Sequence, residues 1–153
     1  MILKTEKVIK EWTDYNGHMN MSYYVLIFDN AAEVMLTRFK MGGDSAKSDK
    51  KSTFAVETHT TYDQEVKLGE EVEVHLTYFD HDKKRIHYRA SMFHKEKKYL
   101  AATTEVLSLY IDLNKRKVAE FEPEKIVIMD DFIKSNSSKF NTEKLVLLNK
   151  LKK

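Results

Sequence analysis

The consecutive residues Asp14-Tyr15-Asn16-Gly17-His18-Met19-Asn20 gather a carboxylate, an imidazole, two side-chain amides and a glycine just ahead of an apolar run from Met21 to Phe39. Gly17 lets the backbone turn tightly and leaves nearby amides uncovered by a Cβ. Those amides, with the free N–H groups at a helix start, form a partially positive pocket suited to an anion or to a carbonyl oxygen gaining negative charge. Asp14, facing the same point, can attack a carbonyl directly or draw a proton from water. The same residues also make good turn chemistry, with Asp14 or Asn16 holding the loop by side-chain to backbone hydrogen bonds. Spacing supports both readings.

The element that must position this loop is the run behind it. Val25, Phe28, Ala32, Met35 and Phe39 recur at spacings of three and four, and Tyr24, Ile27, Ala31 and Val34 form an adjacent stripe. Only a narrow polar edge of Asn30, Glu33 and Thr37 is left, so the helix is expected to be enclosed over most of its girth. Asn20 is the expected N-cap, and Gly42-Gly43 the expected stop.

The remaining chain changes period. Val8 to Trp12 suggests a short opening strand, and Gly42 to Ser52, polar and without periodicity, a mobile connection. From Thr53 to Tyr62 the pattern alternates, with Phe54, Val56, Thr58, Thr60 and Tyr62 on one face and Ala55, Glu57, His59 and Thr61 on the other. Val72, Val74, Leu76 and Tyr78 alternate likewise, followed by Ile86, Tyr88, Ala90 and Met92 and by a long strand from Tyr99 to Ile111. Short polar turns between these runs predict antiparallel pairing, and a sheet curled around one long helix satisfies both periods. Pro123 suits the first turn of a helix over Glu124 to Ile133; a linker at Lys134 to Asn141 and a last helix capped by Thr142, with Leu145, Leu148 and Leu151 on one side, are expected after it. The fold class is therefore α+β, about five antiparallel strands around a central helix. Residues 1–122 form the main unit, and 123–153 a helical extension of the same domain.

Composition narrows the function. A chain of 153 residues with 42% hydrophobic and 33% charged residues is a single globular domain. No apolar run is long enough to cross a bilayer, and the N-terminus lacks a secretory layout. Without cysteine there is no disulfide framework, thiolate metal site or cysteine nucleophile, which fits the cytoplasm. A formal charge of +2 does not argue for nucleic acid. Lysine clusters at Lys47/Lys50/Lys51, Lys83/Lys84/Arg85 and Lys95/Lys97/Lys98 are either solvated loop tips or holders of ligand phosphates. The histidines show no metal-ligand spacing, and Ser22 has no nucleophile elbow around it, so neither a metal nor a cofactor is expected.

With these residues in view, the chain resembles the hotdog-fold acyl-CoA thioesterases related to 4-hydroxybenzoyl-CoA thioesterase. The resemblance rests on Asp-x-Asn-Gly-His-Met-Asn before a long helix containing Tyr24 and then an antiparallel meander, over about Val8 to Asp112. It is closer still to the betainyl-CoA thioesterases, relatives of a domain fused to some carnitine dehydrogenases. That likeness is carried by Trp12 to Asn20, Tyr23-Tyr24-Val25-Leu26, Glu57-x-His59-x-x-Tyr62-x-x-Glu65-Val66 and Lys84-Arg85-Ile86-His87. The resemblance implies Asp14 as nucleophile or general base, Gly17 acting through its backbone, and Asn16 and His18 as members of the catalytic motif. It implies an acyl-CoA substrate and a site shared between subunits of a homodimer or larger assembly. A trimethylammonium acyl group would want aromatic faces and an anion; Trp12, Tyr15, Tyr23, Tyr62 and Glu57 are the candidates, with Asn20, Tyr24 and His59 completing the substrate-binding set. Each aromatic can equally fill core space. The chain departs from the fused form in having no dehydrogenase half and in its tail beyond Pro123. Two other functions are weighed: a noncatalytic module holding an acyl or cationic ligand, and a hotdog hydratase or dehydratase, which would use a histidine with an acid on the long helix, whereas here His18 precedes the helix and Glu33 lies on its polar edge.

Overall fold

The computed structural model describes residues 1–152. In chain order the elements are β1 (Ile2–Lys7), α1 (Met21–Arg38), α2 (Gly43–Asp49), β2 (Lys51–Tyr62), β3 (Glu71–His81), β4 (Arg85–His94), β5 (Leu100–Asp112), β6 (Lys117–Val118) and α3 (Pro123–Asn136). The strands form one antiparallel sheet in the order β1-β3-β4-β5-β2, with β6 paired to β5. Ile86, Tyr88, Ala90 and Met92 of β4 face inward as the alternation predicts, packing with Tyr24, Ile27, Phe28, Ala31 and Met35 of α1 in one core. Met129 and Phe132 of α3 join the same core, Phe132 against Phe39 and Phe79. Among the described residues no helix is long and apolar enough to cross a membrane.

Several expectations are corrected. The opening strand is Ile2–Lys7, and Lys10–Trp12 is instead a 3-10 turn closed by Trp12 N–H on the Ile9 carbonyl and Thr13 N–H on that of Lys10. The stretch after α1 is not a loose connection but helix α2, whose Gly43 N–H is capped by Glu33 Oε1 at 2.7 Å. That helix buries no residue, so it leaves no apolar period to read. Helix α1 is stopped by Lys40, at φ 57°, not by the glycines: Met41 N–H reaches back to the Leu36 carbonyl and buries its side chain beyond the stop. Gly42 is required for another reason, since a Cβ there would lie 2.3 Å from Thr37 Oγ1. The sheet encloses α1 on one side only: Val25 is 50% and Val34 46% exposed, and Met21 and Leu26 stand out with them.

Four register shifts break strict alternation, and two of them re-aim residues read from the sequence. One, between Ala55 and Glu57, puts Phe54 on the outer face with Glu57, His59 and Thr61, and Ala55 on the helix side. The other, between Leu76 and Tyr78, turns Tyr78 outward against His87 and gives its core place to Phe79. At the C-terminus α3 overruns the expected linker, and the last helix does not form. Residues 140–152 instead lie as a strap over the outer face with a single 3-10 turn at Leu148–Lys150, burying Leu147 and leaving Leu148 exposed.

Candidate active site

The Asp14 loop is a tight hairpin. Thr13 bridges to Met19 and His18 to Lys67, while Gly17 N–H closes a turn on the Asp14 carbonyl at 3.0 Å. Gly17 has φ +79° with open space where a Cβ would sit, so the need for glycine is conformational. Asp14 Oδ1 accepts Asn16 N–H at 2.9 Å, and Oδ2 accepts Asn20 Nδ2 at 3.2 Å. Asn20 Oδ1 in turn accepts Ser22 N–H at 3.0 Å, capping α1 as expected. One side chain thus ties the carboxylate to the helix N-terminus, and turn chemistry and carboxylate placement are one set of bonds. The Asn16 amide, against a smaller opposing effect of burial, then Asn20 and the nearby His18, hold the Asp14 carboxyl below its ordinary range, so it is ionised at neutral pH.

Most of the amides expected to face a ligand are already engaged. Gly17 N–H serves the turn, Met19 N–H donates to the Val66 carbonyl at 2.7 Å and Asn20 N–H to that of Trp12 at 2.8 Å. The N–H groups of Tyr15, His18 and Met21 have no acceptor among the described residues. His18 Nδ1 sits 3.1 Å from the Met19 carbonyl.

Aromatic residues frame the loop. Trp12 and Tyr23 stack with centroids 5.8 Å apart, and Tyr24 meets Tyr62 edge-on at 5.4 Å. Tyr24 is buried, and its hydroxyl accepts Val66 N–H at 3.2 Å, so it fastens the 62–67 segment to α1 rather than lining an open site. Burial raises its pKa and keeps the phenol neutral. Val66, which anchors both Met19 and Tyr24, has no side-chain chemistry to signal that role; only its backbone acts. Tyr15 projects from the loop, 97% exposed.

The structure does not bring Glu57 and His59 to this place. Both point to the sheet's outer face, Glu57 pairing with Lys150 at 3.2 Å and His59 lying opposite Glu105, because the bulge fixes which face they take. A cleft of ≈ 780 Å³ on that face is lined by His59 but not by Asp14, and a smaller one of ≈ 280 Å³ lies beside Glu65 and Lys67. In the single chain Asp14 therefore sits part-exposed at an open surface. Glu33, on the polar edge of α1, accepts the Gly43 N–H at the start of α2. Among the described residues no cluster of potential ligands could hold a metal.

A family model described as the thioesterase-like superfamily matches residues 8–133, most of the chain. The chain belongs to the thioesterase-like superfamily. Among curated relatives it is 31% identical to the betainyl-CoA thioesterase of Pseudomonas aeruginosa over 117 residues, 76% of this chain and 74% of that one. Among solved structures it is similar to a hypothetical protein of Staphylococcus aureus in complex with CoA, with TM-score 0.83 and 25% identity over 97% of this chain and 92% of that one. A putative thioesterase of Pseudomonas putida follows at TM-score 0.81 and 27% identity, covering 95% and 93%. The sheet curled around α1 is the hotdog fold, and the chain is an acyl-CoA thioesterase. The loop holds an ionised carboxylate, fixed by two hydrogen bonds, beside the start of α1.

Proposed function

We propose that this thioesterase hydrolyses a short polar acyl-CoA, betainyl-CoA foremost, with Asp14 as nucleophile or general base. The observation that carries the reading is the clamp of Asp14 between the Asn16 amide and the Asn20 side chain at the N-terminus of α1. An ionised carboxylate attacks the thioester carbon or activates water against it, and the His18 and Met21 amides stabilise the oxygen that gains charge. The similarity to a betainyl-CoA thioesterase supports the acyl group, as does the stacked Trp12–Tyr23 pair, an aromatic surface of the kind a trimethylammonium group seeks. With Glu57 on the other face, the anion for that group has to come from elsewhere.

The same reading makes the enzyme a homo-oligomer. Edge strand β2 has a free side, Val25 and Leu26 of α1 are exposed, and Asp14 lacks an enclosing wall within one chain. A second copy supplies the missing wall. The cytoplasmic location expected from the sequence is part of this proposal.

The test is released thiol measured across betainyl-CoA, acetyl-CoA, hydroxybenzoyl-CoA and medium-chain esters, for the wild type and Asp14→Asn. Asn preserves shape and removes the charge, so a fall in kcat of about 10²–10⁴ is expected. Hydrolysis within a few-fold of wild type would sink the assignment of Asp14. An inactive wild type that binds CoA esters tightly would favour the noncatalytic module.

A further inference from the structure

The outer face of the sheet carries a second place where polar groups converge. His75, Ser91, Thr103 and Thr61 lie in register across β3, β4, β5 and β2, forming the floor of the ≈ 780 Å³ cleft. That volume falls within the range of about 300–1,000 Å³ typical of small-molecule sites. The C-terminal strap walls one side. It is held by Arg89, which donates to the carbonyls of Glu143 and Asn141 at 2.6 and 2.9 Å, and by Glu105, which accepts the Val146 and Leu147 amides, both at 2.7 Å.

What remains uncommitted in the cleft gives its preference. Ser91 is only 5% exposed, lines the cleft and has no hydrogen-bond partner among the described residues. Its hydroxyl lines the cleft and can donate to or accept from a ligand there. Lys139 and Lys144, at the wall, have no acidic partner among the described residues, whereas Lys51, Lys84, Lys95, Lys97 and Lys98 are each paired with a glutamate. Glu105, the acid in the floor, has both oxygens engaged by the two strap amides and by His87 Nε2, all at 2.7 Å, so they are turned to those donors. At the opposite end the part-exposed rings of Phe93 and His75 meet edge to face, 5.2 Å apart with 70° between their planes, so they offer two ring faces set at an angle. Asp63 and Glu143 at the edge limit how much negative charge the cleft tolerates.

We propose that this cleft binds a nucleoside mono- or bisphosphate, its base on Phe93 and His75 and its phosphate on Lys139, Lys144 and the remaining N–H groups of Arg89. Ser91 donates to the sugar or the base edge. The phosphoadenosine end of a CoA ester and a free nucleotide share this chemistry. The proposal does not require Asp14 to be catalytic, because occupancy is read directly.

The experiment is calorimetric titration of the full chain with adenosine 3′,5′-bisphosphate, alongside adenosine and inorganic phosphate. One saturable site per chain is expected for the bisphosphate, with adenosine and phosphate each at least about tenfold weaker. The double variant Lys139→Glu/Lys144→Glu, changed only at exposed side chains, is expected to weaken binding at least about tenfold. Ser91→Leu, which fills the cleft, should abolish it while circular dichroism stays native. No saturable binding, or unchanged binding in the double variant, overturns the proposal; phosphate binding as tightly as the bisphosphate overturns its nucleoside part. Competitive inhibition of acyl-CoA hydrolysis by the bisphosphate would assign the cleft to the substrate's own nucleotide end, and binding without competition to a separate nucleotide. Asp14→Asn, expected to lose hydrolysis yet bind the bisphosphate normally, separates this site from the catalytic reading.

Discussion

Replacing Glu105 by Gln should unlatch the C-terminal strap without unfolding the domain. Its carboxylate receives three donors at 2.7 Å: His87 Nε2, Val146 N–H and Leu147 N–H. A glutamine keeps one oxygen and turns an NH₂ group toward the others, so at least one bond to an ionised acceptor is lost inside a nearly dry site. Such a bond contributes about 1.5–3 kcal/mol. The strap sends only Leu147 into a fully buried position, which stabilises it by about 1.5–3 kcal/mol, so the loss is comparable to what holds the segment down. The expected result is a roughly 10- to 100-fold fall in hydrogen-exchange protection at Val146 and Leu147, at about 1.4 kcal/mol per tenfold. Amides of β4 and β5 should keep theirs. Exchange resolved by residue, with limited proteolysis near Lys144, measures this. If strap protection were unchanged, or if the whole sheet lost protection in parallel, the latch described here would be wrong. Acid provides the same perturbation. Burial opposes ionisation of Glu105 most strongly, but the Val146 and Leu147 amides and His87 outweigh it and bring its pKa below the ordinary 4.5. A carboxylate depressed on folding contributes stability that is complete above its unfolded pKa and is lost as pH falls through the lower folded one. The wild-type strap should therefore stay closed at pH 5 and above and open only in more acidic buffer.

Asn20→Asp keeps an oxygen to cap α1 but replaces the donor to Asp14 with a second acidic group. The Asp14 pKa should rise, and the acid limb of the kcat/KM profile should move to higher pH, while Asn20→Ser, which caps without adding charge, moves it less; coincident profiles would refute the clamp. For the wild type that limb should lie below pH 3.8, because Asp14 is depressed from that value, with activity flat above it until another group titrates. Tyr24→Phe leaves the Val66 amide without its buried acceptor, a loss of about 1–3 kcal/mol. The expected readout is a Tm lower by several degrees and a raised KM, since Val66 also holds Met19; an unchanged Tm would show that water replaces the hydroxyl.

Much of the fold was legible because its signals are local. The period-two runs of β3, β4 and β5, the antiparallel turns, Asn20 as cap and Pro123 at a helix start all depend on neighbours a few residues away. The errors share one cause. Helix α2 buries no residue and takes its cap from distant Glu33, so it leaves no local period to read, and the stop of α1 falls on Lys40, whose left-handed conformation no residue type announces. The bulges at Ala55 and Leu76 re-aim Phe54 and Tyr78 without leaving a mark in the alternation.

At the candidate site the division is similar. The amino-acid order alone places a carboxylate, a positive-φ glycine and a helix cap within seven residues, close enough that their mutual geometry is set by short-range bonds. It does not settle which amides stay free, because Val66 and Trp12 take the Met19 and Asn20 donors only once distant backbone is brought alongside. Nor does it settle that Glu57 and His59 lie across the sheet from Asp14, or that residues beyond Phe140 form a strap rather than a helix. The first depends on one inserted residue in an edge strand. The second depends on a buried Glu105 whose oxygens satisfy the Val146 and Leu147 amides more strongly than a short exposed helix could satisfy its own.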